Sequence, residues 1–321
     1  MLDIMFYEVF EEEQRLLRRY LPEGIKAGYT SATIQESGTN TLPAGIISIR
    51  TQSIIPLDWA DSLRGILSRS QGYDHLQAYR RRSRVDIPCG YLNDYCSRAV
   101  AEHAVMVMMA LLRRLKAQIN KFNAFDRDGI TGCECMGKCA LIIGVGRIGS
   151  VIAELAAALK MTVLGVDIVE RVSSVEYVSL THGIGRADVV FCALPLTPQT
   201  RGMLDYAVLS RVKKGAVFIN ISRGEIAPEA GLARLLSEGR LGGIGLDVYS
   251  EEGRLAACFR QKDVGALPES IRMIIDFAGK ENVILTPHNA FNTAEAVERK
   301  AEESVRAVVY FLKHGKFPVV F

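Results

Sequence analysis

The sequence predicts an α/β protein built on parallel sheets. Short apolar runs recur along the chain with helically spaced stretches between them, and parallel strands need such long crossovers. In the second half the runs are continuously apolar rather than alternating, as expected for strands buried on both faces. One of these runs ends in a glycine-rich turn that opens a helical pattern, which marks a doubly wound sheet.

The 321 residues suffice for two domains of ordinary size. A hydrophobic share of 49% and a charged share of 23% fit a compact, water-soluble chain. The net charge of +3 is too small to point to nucleic acid or an anionic membrane as partner. The apolar run 105–112 closes at Arg113 and Arg114, far short of a membrane span of roughly 20 residues. The N-terminus has no basic region, and Glu8, Glu11, Glu12 and Glu13 break its apolar stretch, unlike a secretory signal. The 7 cysteines are odd in number, which speaks against a disulfide framework. Together these features predict a cytoplasmic protein.

In order, the first hundred residues give strands at Leu2–Phe6, 45–49, 65–67 and 85–87. A long helix begins near Ala101, with Val105, Met108, Met109, Leu112 and Leu115 at helical spacing; its Met-rich stripe reads as core or dimer packing. Buried strands follow at 140–145, Thr162–Val166, 188–193, 216–221, 243–248 and Val283–Leu285. A last helix covers 293–313, with Ala296, Val297, Val305, Val308, Val309 and Leu312 on one face. Cys133, Cys135 and Cys139 are crowded, but zinc wants four ligands and no His lies near them, so no metal site is expected.

Gly144-Val145-Gly146-Arg147-Ile148-Gly149 fits G-x-G-x-x-G. Alone the pattern is weak. Here a buried strand leads in, and a helix with Val151, Ile152, Leu155 and Leu159 on one face leads out. The glycines permit a tight turn, and the helix N-terminus offers N–H groups to a pyrophosphate. The next strand ends at Asp167, where a carboxylate accepts from ribose hydroxyls and repels a 2′-phosphate, favouring NAD; Arg171 keeps NADP open.

Reduction of a 2-keto acid needs a cation for the carboxylate and carbonyl, an acid for the oxygen, and a group that orients that acid. Arg suits the first task and His the second. Arg223 follows the strand 216–221; Asp247, Glu251 and Glu252 follow 243–246; His288 follows Val283–Leu285. All lie at the strand ends where open α/β sheets bind ligands. Singly, each of them reads more readily as a loop residue; together at the mouth of one sheet they point to a site.

These stretches resemble the D-isomer-specific 2-hydroxyacid dehydrogenases, closest to the D-lactate dehydrogenase branch. The resemblance rests on Ala99 to His103, Gly144 to Gly149, Pro195 to Arg201, Ile221 to Glu225, Gly245 to Val248 and Val283 to His288. It implies NAD as cofactor and a small 2-keto or 2-hydroxy acid as substrate. Arg223 would bind the carboxylate and carbonyl. His288 would be the general acid/base, partnered by Glu252, which aligns by its offset from Asp247, with its neighbour Glu251 as the alternative. Pro195, Thr197 and Ile221 would wrap the cofactor beside Gly144, Gly146, Arg147, Ile148, Gly149 and Asp167, and Asp247 would meet the nicotinamide carboxamide. Arg50, Thr51 and Gln52, with Ser53, would form a substrate-carboxylate loop, and Tyr95 would line the pocket. The helix near Ala101 would pair two subunits in a homodimer.

The family plan implies two Rossmann-like or flavodoxin-like domains with parallel sheets. The NAD domain (101–290) is inserted into a discontinuous substrate domain (1–100 plus 291–321), and the substrate cleft lies between them. The chain departs from the family in an insert at 254–280, with a helix expected at 268–278, and in Pro228, which suits a first helical turn. A second reading, a non-enzymatic NAD(H) sensor of corepressor type, shares fold and trio. Such sensors carry long tails, while this chain ends soon after its last helix. The sequence does not choose among 2-keto acids.

Overall fold

The computed structural model describes residues 2–261 and 267–321. The chain divides into two compact units, Met1–Cys96 with Asn292–Phe321, and Ser97–Phe291. Among the described residues no helix is long and apolar enough to cross a membrane.

The first unit holds strands β1 (Leu2–Phe6), β2 (Ala27–Tyr29), β3 (Ala44–Ile49), β4 (Gly65–Ser68) and β5 (Cys89–Tyr91) in one parallel sheet, order β2-β1-β3-β4-β5. This is the flavodoxin-like order. Helices α1 (Glu11–Tyr20) and α2 (Asp74–Ser83) belong to this unit. Its core gathers Ile47, Ile49, Trp59, Ile66, Leu76 and Tyr79, each such side chain contributing about 1.5–3 kcal/mol on burial.

The second unit opens with α3 (Ser97–Leu112) and α4 (Leu115–Lys121). Strands β6 (Cys139–Ile143), β7 (Thr162–Val166), β8 (Glu176–Tyr177), β9 (Val189–Cys192), β10 (Ala216–Asn220), β11 (Leu241–Leu246) and β12 (Val283–Leu285) form a parallel sheet in the order β12-β11-β10-β9-β6-β7-β8. The order reverses at β6, the switch point of a doubly wound sheet, where open sheets take their ligands. Helices α5 (Arg147–Ala158), α6 (Leu180–Ile184), α7 (Tyr206–Leu209), α8 (Glu229–Ser237), α9 (Glu252–Gln261) and α10 (Glu269–Ala278) complete it. Leu141, Ile143, Val190, Phe218 and Ile244 anchor its core, and Ile271, Ile274 and Phe277 of α10 join them. The expected insert therefore contributes a packed helix; its residues 262–266 lie outside those described.

The last helix, α11 (Ala294–His314), returns to the first unit. Thr293 caps it by accepting from Ala296 N, and Gly315 ends it at φ 69°, a conformation glycine adopts without strain.

Two expectations are corrected, and two strands were not foreseen. The segment 85–87 is not a strand. Arg84 takes a left-handed φ of 60°, Arg80 pairs with Asp86, and Pro88 has no N–H to give, so pairing with β4 begins only at Cys89. The long helix starts at Ser97 rather than Ala101, and the unit boundary follows it. Strands β2 and β8 carry no extended apolar run; β2 is a half-buried edge of the sheet.

The first unit also buries charge. Glu13 of α1, Lys300 of α11 and Arg69 at the end of β4 are all 0% exposed, with Glu13 Oε1 2.8 Å from Lys300 Nζ and 2.9 Å from Arg69 Nε. Burial alone would push the Glu13 carboxyl up, but Lys300, Arg69 and Arg50 outweigh it and hold it at about 2. Burial, aided by Arg50 and Arg69 against Glu13, pushes Lys300 down.

Glu13→Gln leaves two buried cations without their anion and is expected to cost roughly 3–5 kcal/mol in a urea melt. Lys300→Met keeps the Arg69–Glu13 pair and costs less. The contribution of Glu13 is present above the ordinary carboxylate range and is lost as pH falls from about 4.5 towards about 2. Equal losses from the two variants would contradict this reading.

Candidate active site

The glycine loop follows β6. Gly144 sits at φ 95°, and a Cβ there would lie 2.6 Å from Ala193 O. At Gly149 a Cβ would lie 1.9 Å from Gly144 O, so α5 approaches the loop as only glycine allows. Gly146 is the N-cap of α5, no side chain caps that end, and a Cβ there would meet nothing within 4 Å. The helix start thus faces open space with its N–H groups, as a pyrophosphate requires. Arg147 is exposed and Ile148 half-buried beside it. Asp167, at the end of β7, accepts from Val145 N at 2.7 Å and from Val169 N at 3.0 Å. A carboxylate has about four acceptor positions, so this one can brace the loop and still take ribose hydroxyls. These residues fit a bound dinucleotide.

On the neighbouring strands, the loop after β9 carries Pro195, exposed, and Thr197, half-buried; Thr200 Oγ1 donates to Pro195 O at 2.6 Å and closes the turn. Ile221, 8% exposed, follows β10. Asn220 holds the next turn by donating to Arg223 O at 2.9 Å and accepting from Ser222 N at 3.0 Å. Ser222 Oγ donates to Leu194 O and links the β9 and β10 loops. Arg223 is half-buried.

The β10 and β11 loops touch. A Cβ on Gly224 would lie 2.0 Å from the Tyr249 carbonyl carbon, so only glycine fits behind Arg223. Glu229, 5% exposed, accepts from Ser250 N at 2.7 Å. Tyr249 Oη donates to Thr286 O at 2.7 Å and so joins the β11 loop to the β12 loop. Burial, with Asp247 and Glu252 nearby, pushes its phenol up.

His288 ends this chain of contacts. Its Nδ1 lies 2.8 and 2.9 Å from the two oxygens of Glu252 at the start of α9. Glu251 turns away and accepts from Ser270 Oγ at 2.9 Å. His288 has φ 50°, a left-handed conformation uncommon outside glycine, and its N–H closes a tight turn on Thr286 O at 2.9 Å. Asp247, expected at a carboxamide, is 3% exposed and accepts from Thr286 Oγ1, Asn289 N and Ala290 N.

The residues expected at the substrate belong to the first unit. Arg50, Thr51 and Gln52 follow β3, with Arg50 N and Gln52 N donating to Glu8 at 2.9 and 3.0 Å and Ser53 N donating to it at 3.3 Å. The backbone of this loop is thus already engaged by a carboxylate of the same chain. Tyr95 is 3% exposed, and its carbonyl accepts from Arg299 Nε at 2.9 Å. Sequence reasoning missed Glu8, Asn220, Glu229 and Tyr249, which organise the loops. Asn220 alone left a signal, as a polar residue closing an apolar strand. No disulfide joins Cys89, Cys96, Cys133, Cys135, Cys139 or Cys192, and no metal-ligating cluster occurs among the described residues.

Residues 105–290 match the family model for the D-isomer specific 2-hydroxyacid dehydrogenase, NAD binding domain. The D-lactate dehydrogenase kk1H of Curvularia clavata is 30% identical over 255 residues, covering 77% of this chain and 71% of its own. A glyoxylate reductase of Pyrococcus furiosus is 29% identical over 326 residues, covering 97% and 87%. The crystal structure of D-lactate dehydrogenase from Aquifex aeolicus, complexed with NAD and lactic acid, superposes with a TM-score of 0.86 at 28% identity, covering 99% of this chain and 100% of that one. The chain belongs to the D-isomer specific 2-hydroxyacid dehydrogenase family, as an NAD-dependent enzyme.

Proposed function

We propose that the chain interconverts a small 2-keto acid and its D-2-hydroxy acid, with His288 as general acid/base and Arg223 as carboxylate anchor. One observation carries this reading: His288 Nδ1 sits on both Glu252 oxygens, 2.8 and 2.9 Å away, on the sheet edge that also carries Arg223. Glu252 fixes the ring and holds the Nδ1 proton, so Nε2 is the atom that gives or takes a proton at the substrate oxygen.

In the reducing direction the Arg223 guanidinium pairs with the keto-acid carboxylate and polarises the adjacent carbonyl. When bound, the nicotinamide supplies the hydride that the carbonyl carbon accepts. His288 Nε2 gives its proton to the carbonyl oxygen and is left neutral, with Nδ1–H still on Glu252. The reverse reaction returns the proton to Nε2. Gly144, Gly146, Arg147, Ile148, Gly149, Asp167, Pro195, Thr197 and Ile221 are assigned to the dinucleotide, with Asp247 shaping the nicotinamide end. Arg50, Thr51 and Gln52 are assigned to the substrate, as is Tyr95.

A lactate- or glyoxylate-sized substrate is favoured by the D-lactate dehydrogenases and glyoxylate reductases among the relatives, which also include D-3-phosphoglycerate dehydrogenases. A homodimer through α3 and α4 is supported by Met106, Met109, Leu115, Ile119, Phe122 and Phe125, large apolar side chains on or just after these helices that are each 42–76% exposed.

His288→Ala is expected to leave NADH affinity unchanged and to lower turnover by about 10²–10⁴-fold; Glu252→Gln gives a smaller loss. Wild-type turnover in His288→Ala would end the assignment. Among pyruvate, glyoxylate, hydroxypyruvate and a branched 2-keto acid, followed by NADH absorbance, one of the two smallest is expected to give the highest kcat/KM. Sedimentation should show a dimer that Ile119→Asp with Phe122→Asp converts to monomer; an unchanged dimer would place the interface elsewhere.

A further inference from the structure

We propose that His103 and Thr286 are positioning residues for the reaction: through the Asp247 carboxylate they hold the loop that carries His288. The inference deepens the reading above and rests on His288 as the acid/base.

The geometry sets the direction of each hydrogen bond. Thr286 Oγ1 lies 2.6 Å from Asp247 Oδ1. A carboxylate only accepts, so the single hydroxyl proton goes to Asp247. His103 Nε2 lies 3.1 Å from the same hydroxyl oxygen. That oxygen has spent its proton, so His103 must donate, and its proton sits on Nε2. The relay therefore runs from His103 Nε2–H to Thr286 Oγ1–H to Asp247 Oδ1. His103 comes from α3, far from the site in sequence, and its side chain is 13% exposed. Burial pushes its pKa down, while Asp247, 3.9 Å away, opposes this; in the neutral ring the relay places the single proton on Nε2.

On its other side Asp247 accepts from Asn289 N at 2.8 Å and from Ala290 N at 3.0 Å. One buried carboxylate thus grips the chain before His288 through a hydroxyl and after it through two amides. His288 lies between the grips at φ 50°. Such a conformation in a non-glycine residue persists only when its surroundings over-determine it. Without the Thr286 hydroxyl, Oδ1 keeps a single amide partner; without His103, the hydroxyl oxygen loses its donor. In either case the imidazole on Glu252 loses the constraint that aims Nε2.

Thr286→Val and His103→Phe are each expected to lower kcat by about 10- to 100-fold, the cost of a slightly misplaced group. KM for the keto acid and the NADH Kd should stay within about threefold. Thr286→Ser and His103→Gln, which keep the hydroxyl and an Nε-type donor, should restore most of kcat. In the protein without NADH, imidazole ¹⁵N NMR should find the His103 proton on Nε2, and Thr286→Val should shift the His288 ring resonances. If Thr286→Val fails to fold, His103→Phe carries the same comparison. Full turnover in both apolar variants while His288→Ala is inactive would overturn the relay and leave the acid/base assignment standing. If the wild type reduces no 2-keto acid, the underlying reading fails instead, and the NMR still decides the relay: a proton on Nδ1 of His103, or His288 resonances unmoved by Thr286→Val, overturns it.

Discussion

Parallel hydrogen bonding between β10, β11 and β12 is the constraint on which the site depends. Ile219 pairs with Gly245, and Ile244 with Val283, so these strands run in step and end on one edge. Arg223, Glu252 and His288 lie in or just after the loops that leave that edge, and a parallel crossover allows no other exit. The glycines of β11 bring α3 down on this sheet: a Cβ on Gly245 would lie 2.3 Å from Val107 Cγ1. The same close packing brings His103 of α3 within reach of Thr286.

A second device recurs at the loops. A carboxylate of the chain accepts backbone N–H groups and freezes a turn: Asp167 under Val145, Glu229 under Ser250, Asp247 under Asn289 and Ala290, and Glu8 under Arg50, Gln52 and Ser53. Charge-assisted bonds of this kind are stronger than neutral ones, and an amide left unpaired in a buried turn is costly. The turns around the candidate site are therefore held by carboxylates of the same chain. Glu13 plays a related part in the first unit, where it joins α1, β4 and α11 through Arg69 and Lys300.

Much of this was legible in the residues. Continuous apolar runs placed the second-unit strands to within a residue or two at most ends, because a strand buried on both faces tolerates no polar interruption. The strand expected at 85–87 failed because Val85 and Ile87 supply apolar character without free pairing: Arg84 and Pro88 bend and block the backbone on either side. Strand β2 escaped notice because an edge strand with a glycine at its centre has little hydrophobic pattern to read.

The sequence alone determined the parallel α/β architecture and the glycine loop with Asp167, and it put forward Arg223 and His288 as candidates, since these depend on local spacing and residue chemistry. It put Glu252 ahead of Glu251 only by its offset from Asp247. The tertiary structure separates them by contact, turning Glu252 to His288 and Glu251 to Ser270. It alone also revealed that Asp247 is a buried hub, that His103 reaches Thr286, and that Glu8 engages the Arg50 loop. These contacts join residues 39 to 183 positions apart, or cross from one sheet loop to another. A hydrogen bond of that kind exists only once strands and helices are packed, and no pattern along the chain records it.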